Sequence, residues 1–514
     1  MKDVEPFGLI VLLAAIAGLL AILSNRISER IQIPAPAIFL LVAAVAAHVM
    51  PELSSNLTEV TVERVVTVAV ALILFDGGMH IGWPRLREAL GAVVLIGVVG
   101  TFVTAAAVAV LAHVFFGFDW WVALLLGTAV APTDPAVVFS VLGRREVSGR
   151  SGTILEGESG ANDPVGIALL GSLLVAGELS TGSAVQVGSQ FALQMCVGAA
   201  VGILGGKALL WSMRQIALPS ESLYPLRTLA GGFAIFGLAT VAQGSGFLAV
   251  FLAGILIGEA RAPYKGEIER FASALASLGE IVAFVFLGLT VDLDVLVRQD
   301  VWIVGLVLAV ALALFIRPLL VGPLTMAIDL RPNERLFLLW AGLKGAVPIL
   351  LGAFLLSGEV PEADRLYGII IVVVVFSVVV QGGLVPSVAR LLKVPMLTLD
   401  PEPWGLGVRL RDEPQGVQRY QLAPDSRADG STIEDLPFTT DHVWISFVIR
   451  DGELVRVRAQ TTLRSGDEVL ILADPGLHDE LSDLFTGEGH GRPPVAPDTR
   501  HEICTRRRIK GLTQ

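Results

Sequence analysis

The chain has few charged residues for its length. Asp, Glu, Lys and Arg make up 17% of the 514 residues, whereas hydrophobic residues make up 54%. A soluble domain of ordinary composition carries about 25% charged residues. The shortage of charge therefore argues against a soluble enzyme or binding protein, and it predicts a chain that crosses a membrane several times.

Cysteine and the familiar catalytic motifs are scarce as well. The two cysteines, Cys196 and Cys504, lie in an apolar stretch and in the C-terminal tail, which excludes a disulfide framework. The sequence has no HExxH helix, paired CxxC, GxSxG elbow or P-loop. The N-terminus carries Asp3 and Glu5 where a cleaved signal peptide requires basic residues. We therefore expect no enzyme and no cofactor, and a first span whose N-terminus lies outside the cell.

Long apolar runs, by contrast, are abundant. About 20 apolar residues cross the hydrocarbon core as a helix, and thirteen stretches come near this length. They lie near residues 7–24, 35–50, 61–79, 89–116, 120–142, 155–177, 187–213, 226–243, 246–260, 271–290, 301–327, 334–356 and 366–392. The sequence thus predicts an all-α polytopic membrane protein with about 13 transmembrane helices.

The loops between these stretches alternate in charge. One set carries mainly Arg and Lys, for example Arg85 with Arg87 and Arg390 with Lys393, and the other carries mainly Asp and Glu. Basic loops face the cytoplasm by the positive-inside rule. This pattern predicts a multi-pass protein of the cell membrane with the N-terminus outside and the C-terminus in the cytoplasm, which an odd number of spans requires.

The character of the sequence changes after Lys393. A linker rich in Pro, Gly and Asp is followed by four short apolar runs, which predict strands, with Asp451-Gly452 as a hairpin turn and GLHDELSDLF as a closing helix. This pattern indicates a small α+β domain, and the basic, polar tail after it is typical of disorder. The predicted divisions are a transmembrane domain at 1–393, a linker at 394–416, the α+β domain at 417–488 and the tail at 489–514.

Polar residues inside a predicted span are the strongest functional signal, because a charge at mid-membrane costs roughly 2.5–3.5 kcal/mol on insertion scales. The span 155–177 contains GESGANDPVG. Residues four apart share a helix face, so Ser159 neighbours Asp163, while Glu158 neighbours Asn162 on the next face. The two carboxylates therefore point in different directions, and we expect them to have different roles. A re-entrant loop or an interfacial carboxylate pair is the alternative.

Two other spans are interrupted at corresponding positions. Pro132 and Pro135 bracket Thr133-Asp134, and GLKGAVP interrupts the span near Lys344. Paired interrupted spans indicate an inverted repeat with a binding site at the membrane midplane. We expect Lys344 to lie opposite Asp134, either as a direct pair or by neutralising the opposing helix ends, and Asp134 also suits an N-cap.

Two further charges need an explanation. Arg317 keeps its proton and therefore requires an anion, for which Glu158 is the leading candidate; snorkelling to the interface is the alternative. Asp76 ends the third span, where it either lines an access path or marks the water boundary. The residues that we assign to the membrane boundary rather than to a proton relay are His48, His80, His113, Trp120 and Trp121.

A buried carboxylate with hydroxyl and carbonyl oxygens around it suits a small alkali cation. Burial favours the neutral form of a carboxylate, so Asp163 is expected to bind either a proton or a cation but not both. Exchange of a cation for a proton follows if the site can switch from one side of the membrane to the other only when one of these ions is bound. A gated cation channel is a second hypothesis, although a TVGYG-type filter is missing. A membrane-anchored sensor is a third, for which so many buried charges are costly.

These pieces, in their order and spacing, resemble the monovalent cation:proton antiporter-1 family of NhaP-type Na⁺(K⁺)/H⁺ exchangers. The matching motifs are TDP, GESGANDPVG, the span of Arg317 and GLKGAVP, and the resemblance covers residues 5–393. It implies an NhaA/NhaP-like fold with inverted repeats and two broken crossing helices. It also implies a homodimer in which a core domain slides against a dimerisation domain.

The resemblance also implies roles for individual residues. Asp163 would carry the cation and the proton, with Ser159, Thr133 and Asn162 at the cation site, and Glu158 would be held by Arg317. An Asn-Asp pair is typical of the electroneutral branch with one-for-one exchange. Relatives often have Arg where this chain has Lys344, so bidentate pairing is not expected there.

Residues 429–485 resemble a TrkA-C (RCK C-terminal) module. Such modules regulate potassium transporters by binding small ligands, nucleotides among them. The resemblance favours K⁺/H⁺ exchange, with Na⁺/H⁺ exchange as the alternative, and implies a small regulatory ligand. A purely structural dimerisation module is the competing interpretation, and no nucleic-acid partner is expected.

Overall fold

The computed structural model describes most of the chain, and every structural statement below refers to the described residues. These are 18–19, 34–52, 57–142, 145–147, 150–177, 182–260, 262–358, 360–398, 417–424, 426–437, 443–450, 453–473 and 477–486. The chain divides into two compact units, residues 1–401 and 402–514, which are described separately. The predicted tail, most of the linker and nearly all of the first predicted span lie outside the described residues.

Six helical stretches are long and apolar enough to cross a membrane. They are Glu59–Phe116, Arg150–Ala176, Ser183–Gln215, Lys265–Leu289, Asp300–Thr325 and Ala363–Leu391. Four shorter apolar helices accompany them. The first unit is therefore a mostly helical, membrane-spanning body, as its composition predicts, while the number of thirteen spans stays a prediction.

The elements of the first unit are numbered here in chain order. The first nine helices are α1 Ala35–Val49, α2 Glu59–Val93, α3 Gly100–Phe116, α4 Trp120–Ala129, α5 Pro135–Leu142, α6 Arg150–Ala176, α7 Ser183–Gln215, α8 Leu223–Val241 and α9 Gly246–Glu259. The next eight are α10 Lys265–Leu289, α11 Leu293–Leu296, α12 Gln299–Ala311, α13 Gly322–Thr325, α14 Pro332–Trp340, α15 Ala346–Ser357, α16 Ala363–Val375 and α17 Gly383–Leu391. Three π-helical segments join consecutive helices at Val94–Val99, Leu312–Val321 and Phe376–Gly382. A short antiparallel ladder pairs β1 Arg145–Val147 with β2 Met396–Thr398.

A sharp turn divides the 58-residue stretch Glu59–Phe116. At 1.5 Å per residue a straight helix of that length would measure roughly 87 Å, about three times the hydrocarbon core. The backbone leaves the helical conformation at Gly82, where φ is +64° and ψ is 158°, and Pro84 follows. Glycine tolerates this left-handed φ at little cost. The turn separates the stretches predicted as the third and fourth spans.

Helix α9 packs closely on two neighbours through small residues. A Cβ added to Gly254 would lie 2.3 Å from the carbonyl oxygen of Phe75 in α2, and one added to Gly202 of α7 would lie 2.6 Å from the carbonyl oxygen of Ala249. Larger side chains would force these helices apart. The small-residue spacing of VGAAVGILGG therefore serves helix packing, as is usual in lipid.

Helix α6, which carries GESGANDPVG, is continuous over 27 residues. Its continuity excludes a re-entrant loop at this position. Pro164 lies inside the helix and has no N–H, so the carbonyl of Gly160 lacks its usual helical donor. A Cβ on Gly166 would lie 2.5 Å from Cγ of Pro132. Glycine at this position therefore lets the first break, which is the non-helical segment between α4 and α5, pack directly against α6.

The two interrupted spans break where the sequence predicts, and the breaks meet. Helix α4 ends at Ala129 and α5 begins at Pro135, while α14 ends at Trp340 and α15 begins at Ala346. The backbone N–H of Asp134 donates to the carbonyl of Leu343 over 2.8 Å and joins the two breaks. Pro348 lies in the first turn of α15, where a missing N–H costs little.

The second unit is a four-stranded antiparallel sheet with a closing helix. Its strands are β3 Val417–Gln421, β4 Val443–Arg450, β5 Glu453–Val455 and β6 Glu468–Ala473, and its helix is α18 His478–Thr486. The strand order is β3-β6-β4-β5. Tyr420, Val469, Ile471 and Phe485 are among its buried core residues. Arg450 pairs with Glu453 across β4 and β5, so the predicted hairpin turn falls on residues 451–452, outside the described residues.

One ion pair of this sheet is largely buried. Arg450 donates to both oxygens of Asp467, over 2.8 and 2.7 Å, and the Asp467 side chain is 1% exposed. Burial alone would raise the pKa of Asp467, but hydrogen bonds from Arg450 and from the backbone of Arg464 outweigh it, so the pKa is lowered. The carboxylate therefore stabilises the folded module at neutral pH, and this contribution is lost as the pH falls through the lowered pKa.

Replacing Arg450 with Ala is expected to lower the free energy of unfolding of this module by about 1.5–3 kcal/mol, because Asp467 stays buried without its charged donor. Urea-dependent limited proteolysis of the intact protein measures the effect. Arg419→Ala is the matched control, since its pair with Glu468 is 51% and 30% exposed and such pairs are worth about 1 kcal/mol or less. Equal urea midpoints for the two variants would contradict the prediction.

Candidate cation-binding site

Asp163 lies at the middle of α6 and is almost fully buried, with 6% of its surface exposed. The hydroxyl of Ser159, one turn earlier, donates to Asp163 Oδ2 over 3.4 Å. The other oxygen, Oδ1, is buried and has no hydrogen-bond partner among the described residues. A buried carboxylate with one bare oxygen is costly unless it is protonated or coordinated.

Asn162 holds the first break against α6. Its Nδ2 donates to Thr133 Oγ1 over 2.7 Å, and the backbone N–H of Thr133 donates to Asn162 Oδ1 over 3.3 Å. Both side chains are buried. The four residues predicted for the cation site thus form two hydrogen-bonded pairs, Thr133 with Asn162 and Ser159 with Asp163, which together are called the cluster.

Glu158 and Arg317 form a buried ion pair beside this cluster. Arg317 Nη2 donates to Oε1 and Oε2 of Glu158 over 2.7 and 3.0 Å. Arg317 Nε also donates to the carbonyl of Leu339 over 2.9 Å. The guanidinium is thus buried and paired, which excludes snorkelling to the interface. Glu158 is neutralised by Arg317, whereas Asp163 forms no ion pair among the described residues and interacts with the charge of Lys344 only at longer range.

Lys344 and Asp134 act on helix ends and not on each other. Lys344 Nζ donates to the carbonyls of Ala131 and Pro132 over 2.7 and 3.1 Å, just beyond the C-terminal end of α4. Asp134 accepts backbone N–H bonds from Ala136 and Ala346, at the N-terminal ends of α5 and α15. Of the two predicted arrangements, the direct pair is absent from the described residues and the neutralisation of helix ends is present.

The two breaks pack tightly where they meet, at what is called here the crossing, and a substitution of Gly345 tests this packing. A Cβ on Gly345 would lie 1.9 Å from Asp134 Oδ2, so Gly345→Ala must displace that carboxylate from the helix ends. We expect the overpacking to cost about 1–3 kcal/mol and to lower both the melting temperature and the exchange rate. Thermal unfolding in detergent and vesicle transport measure these effects. Gly237→Ala is the control, because nothing lies within 4 Å of its Cβ position, and equal melting temperatures for the two variants would refute the argument.

The oxygen atoms at this cluster belong to a carboxylate, a hydroxyl and an amide, with Glu158 already paired. Such hard, oxygen-only ligands suit an alkali cation or a proton better than a transition metal. Within the described residues, no group of three or more His, Cys, Asp or Glu side chains is arranged to hold a metal ion. The arrangement therefore fits reversible binding of one monovalent ion.

Asp76, predicted as a candidate for the access path, lies apart from this cluster in its contacts. Its Oδ1 accepts from the hydroxyl of Ser273 over 3.0 Å and lies 3.4 Å from Nδ1 of His80. His80 is 54% exposed, and His113 stacks on Trp120 with 4.0 Å between ring centroids. None of the hydrogen bonds or ion pairs of Asp76 reaches the cluster of Asp163.

A cavity of about 500 Å³ lies on the side of the predicted acidic loops. The charged side chains among its described lining residues are Glu59, Asp292, Asp294 and Asp364, and His48 also lines it. Clefts lined by charge of one sign raise the local concentration of counter-ions. This cavity is therefore suited to collect cations near the membrane surface.

Glu280 is a residue that the sequence reasoning above missed. It lies near the middle of α10, in SLGEIVAFVF, and its Oε1 is buried without a hydrogen-bond partner in the part of the chain that the structure describes. The signal was available, because Glu280 is a carboxylate inside a predicted span and meets the criterion that singled out Asp163. It lacks the flanking Asn, Ser and Pro that mark the other motifs.

The geometry agrees with comparisons to known protein families. The family model described as "Sodium/hydrogen exchanger, transmembrane" matches residues 11–391. The chain belongs to this family. A second family model, the TrkA-C domain, matches residues 417–486. Both resemblances drawn from the sequence motifs are thereby confirmed, and the protein is a membrane transporter of the cation/proton antiporter family, not an enzyme.

Named relatives align over most of this exchanger's length. It is 31% identical to the K(+)/H(+) antiporter NhaP2 of Shewanella sp. (strain MR-4), over 94% of this chain and 84% of the relative. It is 32% identical to the K(+)/H(+) antiporter NhaP of Alkalimonas amylolytica, over 96% and 86%. It is also 26% identical to the Na(+)/H(+) antiporter ApNhaP of Aphanothece halophytica, over 74% and 73%.

The fold of this exchanger has solved counterparts. The sodium proton antiporter MjNhaP1 from Methanocaldococcus jannaschii superposes with a TM-score of 0.62 over 74% of this chain and 100% of that chain. Its sequence identity of 22% supports a common fold and nothing finer. The NhaP-like architecture is therefore established for the membrane unit.

Proposed function

We propose that this exchanger carries a monovalent cation, K⁺ or Na⁺, in one direction and a proton in the other, with Asp163 as the shared carrier. The environment of Asp163 is the main support for this proposal. In the part of the chain that the structure describes, Asp163 is a buried carboxylate with a bare oxygen and no ion pair, whereas Glu158 beside it is neutralised by Arg317. A site of this kind needs one positive charge, and either ion supplies it.

The transport cycle follows from the cost of an unneutralised carboxylate. Asp163 with a proton or with a cation is neutral, and only these two forms can pass through the low-dielectric middle of the protein. The hydroxyls of Ser159 and Thr133 and the amide oxygen of Asn162 are the proposed further cation ligands. Because a single charge travels each way, exchange is electroneutral and one-for-one, by alternating access.

K⁺ is the favoured substrate of the two. Relatives that align over more than nine-tenths of this chain are named K(+)/H(+) antiporters, while a more distant one is named a Na(+)/H(+) antiporter. The TrkA-C module supports the same choice through the resemblance to potassium-transport regulators. Na⁺/H⁺ exchange is the second candidate, since oxygen ligands accept both ions.

Everted membrane vesicles with a preset pH gradient test this function. Adding K⁺ is expected to dissipate the gradient without a membrane potential, and Na⁺ to do so at higher concentration. A channel would give potential-driven cation flux that does not depend on a proton gradient. Cation flux that continues with equal pH on both sides and follows an imposed potential would overturn the exchanger in favour of the channel.

The remaining expectations concern topology and assembly. We propose that the basic loops and the TrkA-C module face the cytoplasm, that the N-terminus lies outside the cell membrane, and that two copies form a homodimer. Support comes from the loop charges and from the exposure of Arg85, Arg87, Arg150 and Arg390 at helix ends. The TrkA-C module is proposed to bind a small regulatory ligand, with nucleotides as the first class to test.

A further inference from the structure

Glu280 lies near the middle of its helix, as Asp163 of the proposed transport site does. It is near the middle of α10, and a Cβ on the preceding Gly279 would lie 3.2 Å from the carbonyl oxygen of Ala69, near the middle of the predicted span 61–79. Asp163 is likewise at the middle of α6. Both carboxylates are therefore far from the ends of their helices.

Glu280 is partly buried, and its Oε1 points into the protein. Residues four apart share a helix face, and both neighbours on that face, Ala276 and Phe284, are buried at 8% and 1% exposure. Leu278, on another face of α10, is 55% exposed. Helix α10 packs against α15, whose N-terminal end touches Asp134, and Glu280 interacts electrostatically with Asp134. Glu280 thus lies on a helix that packs against one of the two broken spans.

The buried and partly buried charges around this crossing, counted over the described residues, do not balance. Four carboxylates, Asp134, Glu158, Asp163 and Glu280, meet two cations, Arg317 and Lys344, which leaves 4 − 2 = 2 negative charges. Glu158 is paired with Arg317, and the oxygens of Asp134 accept backbone N–H bonds. Lys344 is therefore the one cation left for Asp134, Asp163 and Glu280 among the described residues, and Glu280 has no cation of its own.

Other charged groups on the elements around Glu280 lie too far along their helices to neutralise it. On α2, Arg64 is five residues from Ala69, but its side chain is exposed, while Glu63 and Asp76 are six and seven residues away, about 10 Å along the axis. On α1 and α8, His48 and Arg227 lie near helix ends, and α15 carries no charged residue. In the described residues no Lys, Arg or His forms an ion pair with Glu280.

We propose that Glu280 is a second binding station for the transported monovalent cation or proton, placed on helix α10, which packs against the broken-helix segment α15. A cation bound at Glu280 moves to Asp163 while the proton of Asp163 moves to Glu280. The charge on each carboxylate is neutralised before and after this swap, so no net charge moves. The inference rests on the proposed function and adds a second carboxylate to its pathway.

Glu280→Gln tests the station by transport. Removing it is expected to raise the half-saturating K⁺ concentration about tenfold while maximal exchange changes by less than about twofold, because a binding step is lost and the carrier is kept. Glu267→Gln is the matched control, since Glu267 lies on the same helix, is 49% exposed and pairs with Arg270. An unchanged half-saturating concentration in Glu280→Gln would overturn the proposal, and so would complete loss of exchange in normally folded protein.

A labelling experiment keeps the proposal testable should Glu280→Gln fold poorly. A hydrophobic carbodiimide reacts with protonated carboxyl groups, and peptide mass spectrometry then locates the modified residue. We expect K⁺ to protect Glu280 from modification in the intact protein and in Asp163→Asn. Labelling of Glu280 that is indifferent to K⁺ in both proteins would contradict a cation station. Retained exchange in Asp163→Asn would instead overturn the proposed function, so the two failures are distinguishable.

Discussion

Exchange by the Asp163→Asn variant is expected to fall to the background of vesicles that lack the protein. Asparagine keeps the size and the contact with Ser159 but carries no charge, so neither a proton nor a cation can be bound and released in turn. Of all the substitutions considered, this one should have the largest effect on transport. Dissipation of a preset pH gradient by K⁺ and by Na⁺ measures it.

The interpretation of Asp163→Asn depends on intact folding. Removing a buried unpaired charge relieves its desolvation, so the abundance and melting temperature of this variant should equal or exceed those of the parent. Ser159→Ala is the graded comparison, because it removes one hydroxyl at 3.4 Å from the carboxylate and leaves the carrier in place. Exchange in Asp163→Asn that matched or exceeded exchange in Ser159→Ala would refute the assignment of the carrier.

Glu158→Gln is expected to reduce the amount of folded protein more than any other single substitution at this site. It leaves the Arg317 guanidinium buried without its anionic partner, and breaking a buried ion pair from one side costs about 3–5 kcal/mol. The melting temperature and the yield of monodisperse protein in detergent measure the loss. The transport rate per folded molecule should fall much less than the yield.

The double variant Glu158→Met with Arg317→Met shows whether the ion pair stabilises the fold or takes part in transport. Replacing both members of a buried ion pair with apolar residues of similar size is often neutral or stabilising, so folding should recover relative to Glu158→Gln. Recovery of folding would assign the pair to structure. A double variant as unstable as Glu158→Gln would show that Thr133 and the carbonyl of Leu339 depend on these two residues in ways that pairing alone does not explain.

Helical periodicity made the centre of the site predictable from the sequence. Ser159 and Asp163 are four residues apart, and so are Glu158 and Asn162, so their faces follow from the pitch of a helix alone. The bracketing prolines of Thr133-Asp134 forbid a continuous helix, and the structure breaks between Ala129 and Pro135 as a result. The need of a buried guanidinium for an anion pointed from Arg317 to Glu158.

Tertiary contacts decided what the sequence left open. The partners of Lys344 are backbone carbonyls beyond the end of α4, and their position depends on where two distant breaks meet. No residue pattern distinguishes that arrangement from a direct pair with Asp134. The π-helical segments near Val94, Leu312 and Phe376 also have no simple sequence signature, since each depends on local packing.

Glu280 illustrates the other limit, which is the reliance on motifs. A single Glu in an apolar run resembles a helix-end residue when span boundaries are uncertain by a few positions. The contact of Gly279 with Ala69, near the middle of the predicted span 61–79, places Glu280 inside the span and not at its end. The free-energy cost of placing a charge inside the membrane, considered for every carboxylate within a span, identifies Glu280, whereas motif recognition does not.

The central claim is that a proton and an alkali cation compete for the single carboxylate of Asp163. Reconstituted exchanger at zero membrane potential allows the half-saturating K⁺ concentration to be measured at a series of pH values. Competition for one site predicts that this concentration rises about tenfold for each unit of acidification once protons dominate the site, with the maximal rate at saturating K⁺ preserved. A half-saturating concentration that stays constant while only the maximal rate falls would contradict a shared site.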